Sequence, residues 1–202
     1  MESGATVAIL PAAGASRRMG RPKLLLPFNG GPLVAGVVNA LLGGGVEEIV
    51  LVTAPEDEDL RGWARRSGIE SAVNPDPGRG MLSSIREGIG ALGGAEELAR
   101  RGATLLVSPA DLPNLQAETV IELLRRMRES GAPIAEPVFH GKRGHPLAIA
   151  PRLIPEIETL DLDVGLRQLR HRHEAELLEV PVEDAGVVQD VDTPEEYERL
   201  QS

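Results

Sequence analysis

Short runs rich in β-branched residues alternate with stretches whose apolar residues recur at helical spacing, and the alternation lasts the whole chain. TVAIL (6–10) leads to PLVAGVVNALLGGG (32–45), a helix opened by proline and stopped by glycines, and then to EEIVLVT (47–53). PEDEDLRGWARRSG reads as helix, IESAV as strand, MLSSIREGIGAL as helix and ATLLVS as strand. AETVIELLRRMRESG follows as helix, with APIAEPVF and HPLAIA as further strands around a loop at 139–143. The last third predicts helical pieces near 152–158 and 164–170, a strand LLEVPV, a strand-like VVQDV and a closing helix PEEYERL. Such a pattern specifies an α/β fold: a mostly parallel twisted sheet with helices on both faces. With 202 residues, no repeat and no linker, a single domain over 1–202 is expected.

Composition narrows the partners. The net charge is −10, yet residues 3 to 46 contain no Asp or Glu and carry Arg17, Arg18, Arg21 and Lys23, so that stretch is +4 and the remainder −14. A polyanion partner such as nucleic acid is disfavoured by the acidic total. The four aromatic residues, Phe28, Trp63, Phe139 and Tyr197, are too few for a base-stacking platform. A small anionic ligand drawn to one basic loop fits better. No apolar run approaches the ~20 residues of a membrane span, and MESGATVAIL has no basic leader before a long apolar stretch. The chain has no cysteine. No membrane role and a cytoplasmic location are expected.

In sheets of this kind, ligands sit beyond the carboxyl ends of the strands. Four such ends carry suggestive residues. In ILPAAGASRRMGRPK the small residues Ala12, Ala13 and Gly14 let backbone N–H groups approach an anion, although neither the P-loop nor the GxGxxG spacing is present. A solvated basic turn is the alternative. In NPDPGRGMLSSIREGI, a loop containing Asn74 and Gly80 enters a helix whose first turn offers Ser83 and Ser84, suited to an anion or a base edge, or simply to a cap. VSPADLPN sets Asp111 on a stiff turn, where it can hold Mg²⁺ or bond its own backbone. QDVDTPEE places Asp190 and Asp192 two apart; Asp192 or Thr193 can cap the last helix, but capping does not account for both carboxylates.

Taken in order, ILPAAGASRRMGRPKLLLPF, NPDPGRGMLSSIREGI, VSPADLPN, KRGHPLAIA and QDVDTPEEYERL resemble the MobA-like nucleotidyltransferases, whose leading pattern is roughly LAAGxSxRMGxxK. Pro11 stands where that pattern has Leu. RGHP (143–146), SxxxG (84–88) and DVDTP (190–194) are most similar to the molybdenum cofactor cytidylyltransferase branch, and the GPLAG-like and NxNTP-like sequences of the guanylyl branch are missing.

The resemblance implies a Rossmann-like nucleotidyltransferase fold in which an acceptor phosphate attacks the α-phosphate of a nucleoside triphosphate and pyrophosphate leaves. It implies Ala12, Ala13, Gly14, Asn74, Gly80, Ser83 and Ser84 along the nucleotide, CTP favoured. Arg17 would hold the β- and γ-phosphates and Lys23 the charge near the α-phosphate. Asp111 and Asp192, with Asp190 close behind, would hold Mg²⁺, for which Mn²⁺ can substitute. His145 and Arg143 fall on the acceptor side, with molybdopterin the favoured acceptor and a molybdoenzyme or its chaperone a further partner. Asp163 reads as a helix cap, and His171 and His173 as surface residues. The rival readings are a different small phosphate acceptor, such as a sugar phosphate or phospholactate-like acid, and a binding protein without turnover. The intact Lys23, Asp111 and Asp192 argue against the last.

Overall fold

The computed structural model describes residues 4–14 and 23–200; Arg17, Arg18 and Arg21 lie outside them. The main strands are β1 (Thr6–Pro11), β4 (Glu48–Thr53), β5 (Glu70–Val73), β6 (Thr104–Val107), β7 (Ile134–Phe139), β9 (Leu147–Ile149) and β10 (Leu177–Pro181). They lie in the order β10-β7-β9-β6-β1-β4-β5, with the short β8 (Lys142–Arg143) paired to β7. A separate hairpin joins β2 (Pro27–Phe28) to β3 (Gly31–Pro32). β5, β4, β1 and β6 run parallel, β9 is antiparallel to both its neighbours, and β10 is parallel to β7. The mixed, mostly parallel sheet expected from the alternation is present.

Each face of the sheet carries its own core, because alternate strand residues point opposite ways. Ala8 and Leu10 of β1 join one core with α1 (Val34–Gly43), α2 (Glu58–Arg66) and α5 (Ala117–Ser130). Val7 and Ile9 join the other with α3 (Met81–Ala91), α4 (Ala95–Arg100), α6 (Arg167–Arg172) and a 3-10 stretch, Pro151–Thr159. α7 (Pro194–Leu200) docks on the hairpin, where the Tyr197 hydroxyl donates to the Pro27 carbonyl at 2.6 Å. Among the described residues no helix is long and apolar enough to cross a membrane.

Gly88 sets how closely α3 lies on β1. A Cβ at this position would fall 2.7 Å from Cγ2 of Ile9, a branched side chain with 0% exposure. Gly88→Ala gains helix propensity of about 1 kcal/mol but overpacks at a cost of about 1–3 kcal/mol. The expected net is a fall in Tm of a few degrees, partly restored by Ile9→Val. A Tm at or above that of the parent protein would refute this close-approach role.

Several expectations change on contact with the structure. VVQDV is not a strand: its first two residues end a 3-10 turn, Ala185–Val188, and its backbone bonds go to loops, the Val187 carbonyl accepting from His145 N–H at 2.9 Å and Val191 N–H donating to the Asp111 carbonyl at 3.2 Å. The helix expected near 164–170 begins at Arg167, and Asp163 does not cap it. Its own N–H donates to Asp161 Oδ1 at 2.9 Å within a turn that the Asp161 carbonyl closes by accepting from Val164 and Gly165. α4 was not foreseen. His173 is no plain surface residue, because its ring packs between Glu156 and Glu176 at 3.1 and 3.2 Å. Burial opposes its charge, but hydrogen bonds and charge from these two acids outweigh that and raise its pKa.

Candidate functional site

The chain leaves β1 toward β4 on one side, while β6 closes the other, so a crevice opens between the carboxyl ends of β1 and β6. A cavity of about 340 Å³ lies there, lined by Ala12, Ala13, Gly14, Lys23, Gly80, Ser84, Asp111 and Asp192 among others. These residues come from every one of the four strand-end segments singled out in the sequence.

Lys23 begins a 3-10 turn, Lys23–Leu25, directly after the basic segment. Its ammonium sits 2.5 Å from Asp111 Oδ2 and 2.8 Å from Asp192 Oδ1, with side chains only 14%, 15% and 34% exposed. Burial works against the ammonium's charge, but Asp111 first and Asp192 second overcome it and raise the Lys23 pKa. Asp192 reaches this point because Val191 N–H donates to the Asp111 carbonyl at 3.2 Å, tying the C-terminal segment to the end of β6. Capping falls to its neighbours. Glu196 Oε2 accepts from Asp192 and Thr193 N–H at 2.7 and 2.9 Å, and Thr193 Oγ1 accepts from Glu196 N–H at 3.2 Å, a capping box. That arrangement leaves the Asp192 carboxylate facing Lys23.

Asp190 stands apart from this contact. Burial raises its pKa, and the negative charges of Asp111 and Asp192 raise it further. Among the described residues no group of three or more acidic or histidine side chains comes together as a metal cluster. The Asp111–Asp192 pair suits a hard divalent ion that takes one or two carboxylates and completes its shell with phosphate oxygens and water.

The loop after β5 is organised from within. Buried Asn74 donates from Nδ2 to Ser83 Oγ at 2.8 Å and to Ser84 Oγ at 2.9 Å, and its Oδ1 accepts from Asp76 N–H at 2.9 Å. Ser83 in turn donates to the Gly80 carbonyl at 2.7 Å. Asn74 and Ser83 therefore hold the loop against α3, while Ser84 lines the cavity. Gly80 precedes α3 with φ +89°, a left-handed conformation costly for any side chain, and no side chain caps the helix. The first turn of α3 is thereby turned to the crevice.

A second cavity, of about 400 Å³, abuts the first across Gly80, Met81 and Pro109. Its walls are largely apolar, including Leu147, Leu162, Val164 and Leu166, and His145, Asp163, Arg167 and Arg170 supply its polar groups. His145 is neutral at ordinary pH: burial first, then the nearby charge of Arg170, pushes its pKa down to about 4. Arg143, the other residue assigned to the acceptor side, lines neither cavity; it contacts Glu174 and Glu179 at 2.7 Å and Glu136 at 3.1 Å. Sequence reading missed Arg170 and Glu136 altogether. The signal was there in Glu136, an acid in the middle of the otherwise uncharged strand APIAEPVF.

A lysine held between two carboxylates beside a loop-to-helix turn lies at the switch point of this α/β sheet, which is where ligands bind in such sheets. The chain belongs to the MobA-like NTP transferase domain family, whose model matches residues 8–177. It is 31% identical over 95% of its length to nicotine blue oxidoreductase of Paenarthrobacter nicotinovorans, covering 94% of that protein. It is 29% identical over 94% of its length to molybdenum cofactor cytidylyltransferase of Escherichia coli, covering 92% of it. Among solved structures, Rv0371c of Mycobacterium tuberculosis superposes with a TM-score of 0.80 at 25% identity, each chain fully covered. The same protein has been solved in complex with manganese, with a TM-score of 0.71 at 24% identity over 98% of this chain and 97% of that one.

Proposed function

We propose that this protein transfers CMP from CTP to a phosphorylated small molecule, molybdopterin being the favoured acceptor. The observation that carries the reading is Lys23 between Asp111 and Asp192 at the mouth of the crevice, 2.5 and 2.8 Å from the two carboxylates. An acceptor phosphate oxygen attacks the α-phosphorus, the α–β P–O bond breaks, and pyrophosphate leaves with the bonding electron pair. Catalysis of such a step is mostly positioning and charge neutralisation. Asp111 and Asp192 would hold Mg²⁺ or Mn²⁺, which supplies a template and a counter-charge for the phosphates; the manganese complex of the mycobacterial neighbour supports that choice. Lys23 donates to phosphate oxygens near the α-phosphorus, and Arg17, outside the described residues, is assigned to the β- and γ-phosphates. The backbone of Ala12–Gly14, Gly80 and the first turn of α3, with Ser84, lie along the nucleotide. The acceptor occupies the second cavity, beside His145, and a molybdoenzyme or its chaperone receives the product.

CTP is expected to outcompete GTP by at least about tenfold in kcat/KM, roughly 1.4 kcal/mol of transition-state binding. A base site bounded by loop backbone and short serines such as Ser84 suits cytosine's amino and carbonyl groups, and the Escherichia coli relative's name supports cytidylyl transfer. Competition of CTP, GTP, ATP and UTP, read by pyrophosphate release with phosphorylated acceptors, tests it. A win for GTP or ATP would sink the cytidylyl assignment alone. A hydride-transfer chemistry, prompted by the name of the Paenarthrobacter relative, would show no pyrophosphate with any nucleotide and no dependence on Lys23.

A further inference from the structure

Two segments far apart in sequence run side by side up to the Lys23 contact: 111–116, which leads from Asp111 into α5, and 184–192, which ends at Asp192. They are joined in antiparallel order at both ends and in the middle. At the site end, Val191 N–H donates to the Asp111 carbonyl at 3.2 Å. Midway, Gly186 lies so close to Asn114 that a Cβ on it would overlap the Asn114 carbonyl and fall 2.7 Å from Leu115 N. At the far end, Asp184 Oδ2 accepts from Gln116 N–H at 2.9 Å and from the Thr119 hydroxyl at 2.8 Å. Its Oδ1 accepts from Gly186 N–H at 2.8 Å.

Asp184 is only 3% exposed, and a buried carboxylate is costly unless hydrogen bonds compensate it. Gln116 is the N-cap of α5 and its own side chain makes no capping bond. Asp184 therefore supplies from a distance the acid that a capping box takes from the helix's first turn. Capping α5 accounts for the bonds to Gln116 and Thr119. It does not account for the bond to Gly186, which holds that residue in the turn that meets Asn114. Asp111 and Asp192 both lie outside strands and helices. Their separation depends on how these two loops hold each other.

We propose that Asp184 and Gly186 form a clasp that positions Asp192 against Asp111 and so sets the affinity of that pair for a divalent ion. Asp184 reaches neither ion nor substrate and is a positioning residue. The inference rests on the reading of Asp111 and Asp192 as the ion's ligands. Without the clasp, the Val191–Asp111 bond and the Glu196 capping box still hold Asp192, so the pair loosens without dispersing.

The test is Mn²⁺ binding to the intact protein without nucleotide, followed by electron paramagnetic resonance, with Tm measured alongside. Groups that orient metal ligands directly are worth about 10–100-fold in affinity; the clasp acts one step further out, so Asp184→Ala should weaken Mn²⁺ binding by about fivefold. Asp184→Asn keeps an oxygen for Gln116 and Thr119 but turns an NH₂ toward Gly186 N–H, and should fall between the two. Gly186→Ala should weaken Mn²⁺ binding by another route, by forcing the segments apart at their middle. Val120→Ala truncates a buried residue of α5 on the side facing Gly44; it should lower Tm and leave Mn²⁺ affinity unchanged. Where Asp184→Ala does not fold, Asp184→Asn and Gly186→Ala decide. Parent-like Mn²⁺ affinity in the Asp184 and Gly186 variants overturns the clasp and leaves Asp184 a cap of α5. An equal loss in Val120→Ala overturns it too, because affinity then follows stability alone. A parent protein that binds no Mn²⁺ removes the metal reading itself, and the clasp with it. Pyrophosphate release is followed separately. Its absence with every nucleotide sinks the transfer reading and leaves the Mn²⁺ comparison standing, whereas its persistence beside unchanged Mn²⁺ affinities sinks the clasp alone.

Discussion

Lys23→Ala is expected to lower turnover by about 100-fold or more, as loss of one well-placed transition-state donor does. The structure adds a second consequence. Without the ammonium, Asp111 and Asp192 lose the cation that joins them, 2.5 and 2.8 Å from them in the parent protein. Like charges brought together destabilise one another, most of all when partly buried. The variant should therefore melt lower in the absence of divalent ions and gain more Tm from added Mg²⁺ or Mn²⁺ than the parent protein does. Mn²⁺ titration followed by electron paramagnetic resonance gives the same comparison without turnover. Near-normal turnover in the variant would remove Lys23 from the chemistry, and an unchanged metal response would detach it from the carboxylate pair.

Asp111→Asn is the second large effect. An amide preserves the shape but not the charge that a hard ion requires, so activity should fall by about 100-fold at limiting Mg²⁺. Asp192→Asn should act in the same direction. Asp190→Asn should do less, because Asp190 makes no contact with Lys23 and its carboxylate already carries a raised pKa from burial and two negative neighbours. Removing a repelled charge leaves the Asp111–Asp192 pair intact. Mg²⁺ titrations of the three variants rank them, and a larger loss for Asp190 than for Asp192 would reverse the assignment.

Backbone-level features were legible in the sequence because they are decided by neighbours. Strand and helix alternation, the proline and glycine boundaries, and the turn residues after β1, β5 and β6 all depend on interactions a few residues apart. Lys23, Asp111 and Asp192 were picked out by resemblance to a family pattern, whereas their meeting across 88 and 169 positions is tertiary. What depended on long-range contact was not legible. The choice of Thr193 over Asp192 as cap follows from where Asp192 is pulled, by a lysine 169 positions away. Serines that looked like free hydroxyls at a helix start are partly consumed by Asn74, which only folding brings to hydrogen-bond distance. VVQDV has the composition of a strand, but its backbone bonds to His145 and Asp111, distant in sequence, and the sheet runs β7 to β10 without it. Glu136 and Arg170, 34 positions apart in the numbering, meet because β7 lies inside the sheet beneath α6, and nothing in either local segment foretells the other. Local hydrogen bonding and hydrophobic periodicity determine the elements, whereas strand order, which is settled by the packing of two opposed cores, decides which charged side chains share a cavity.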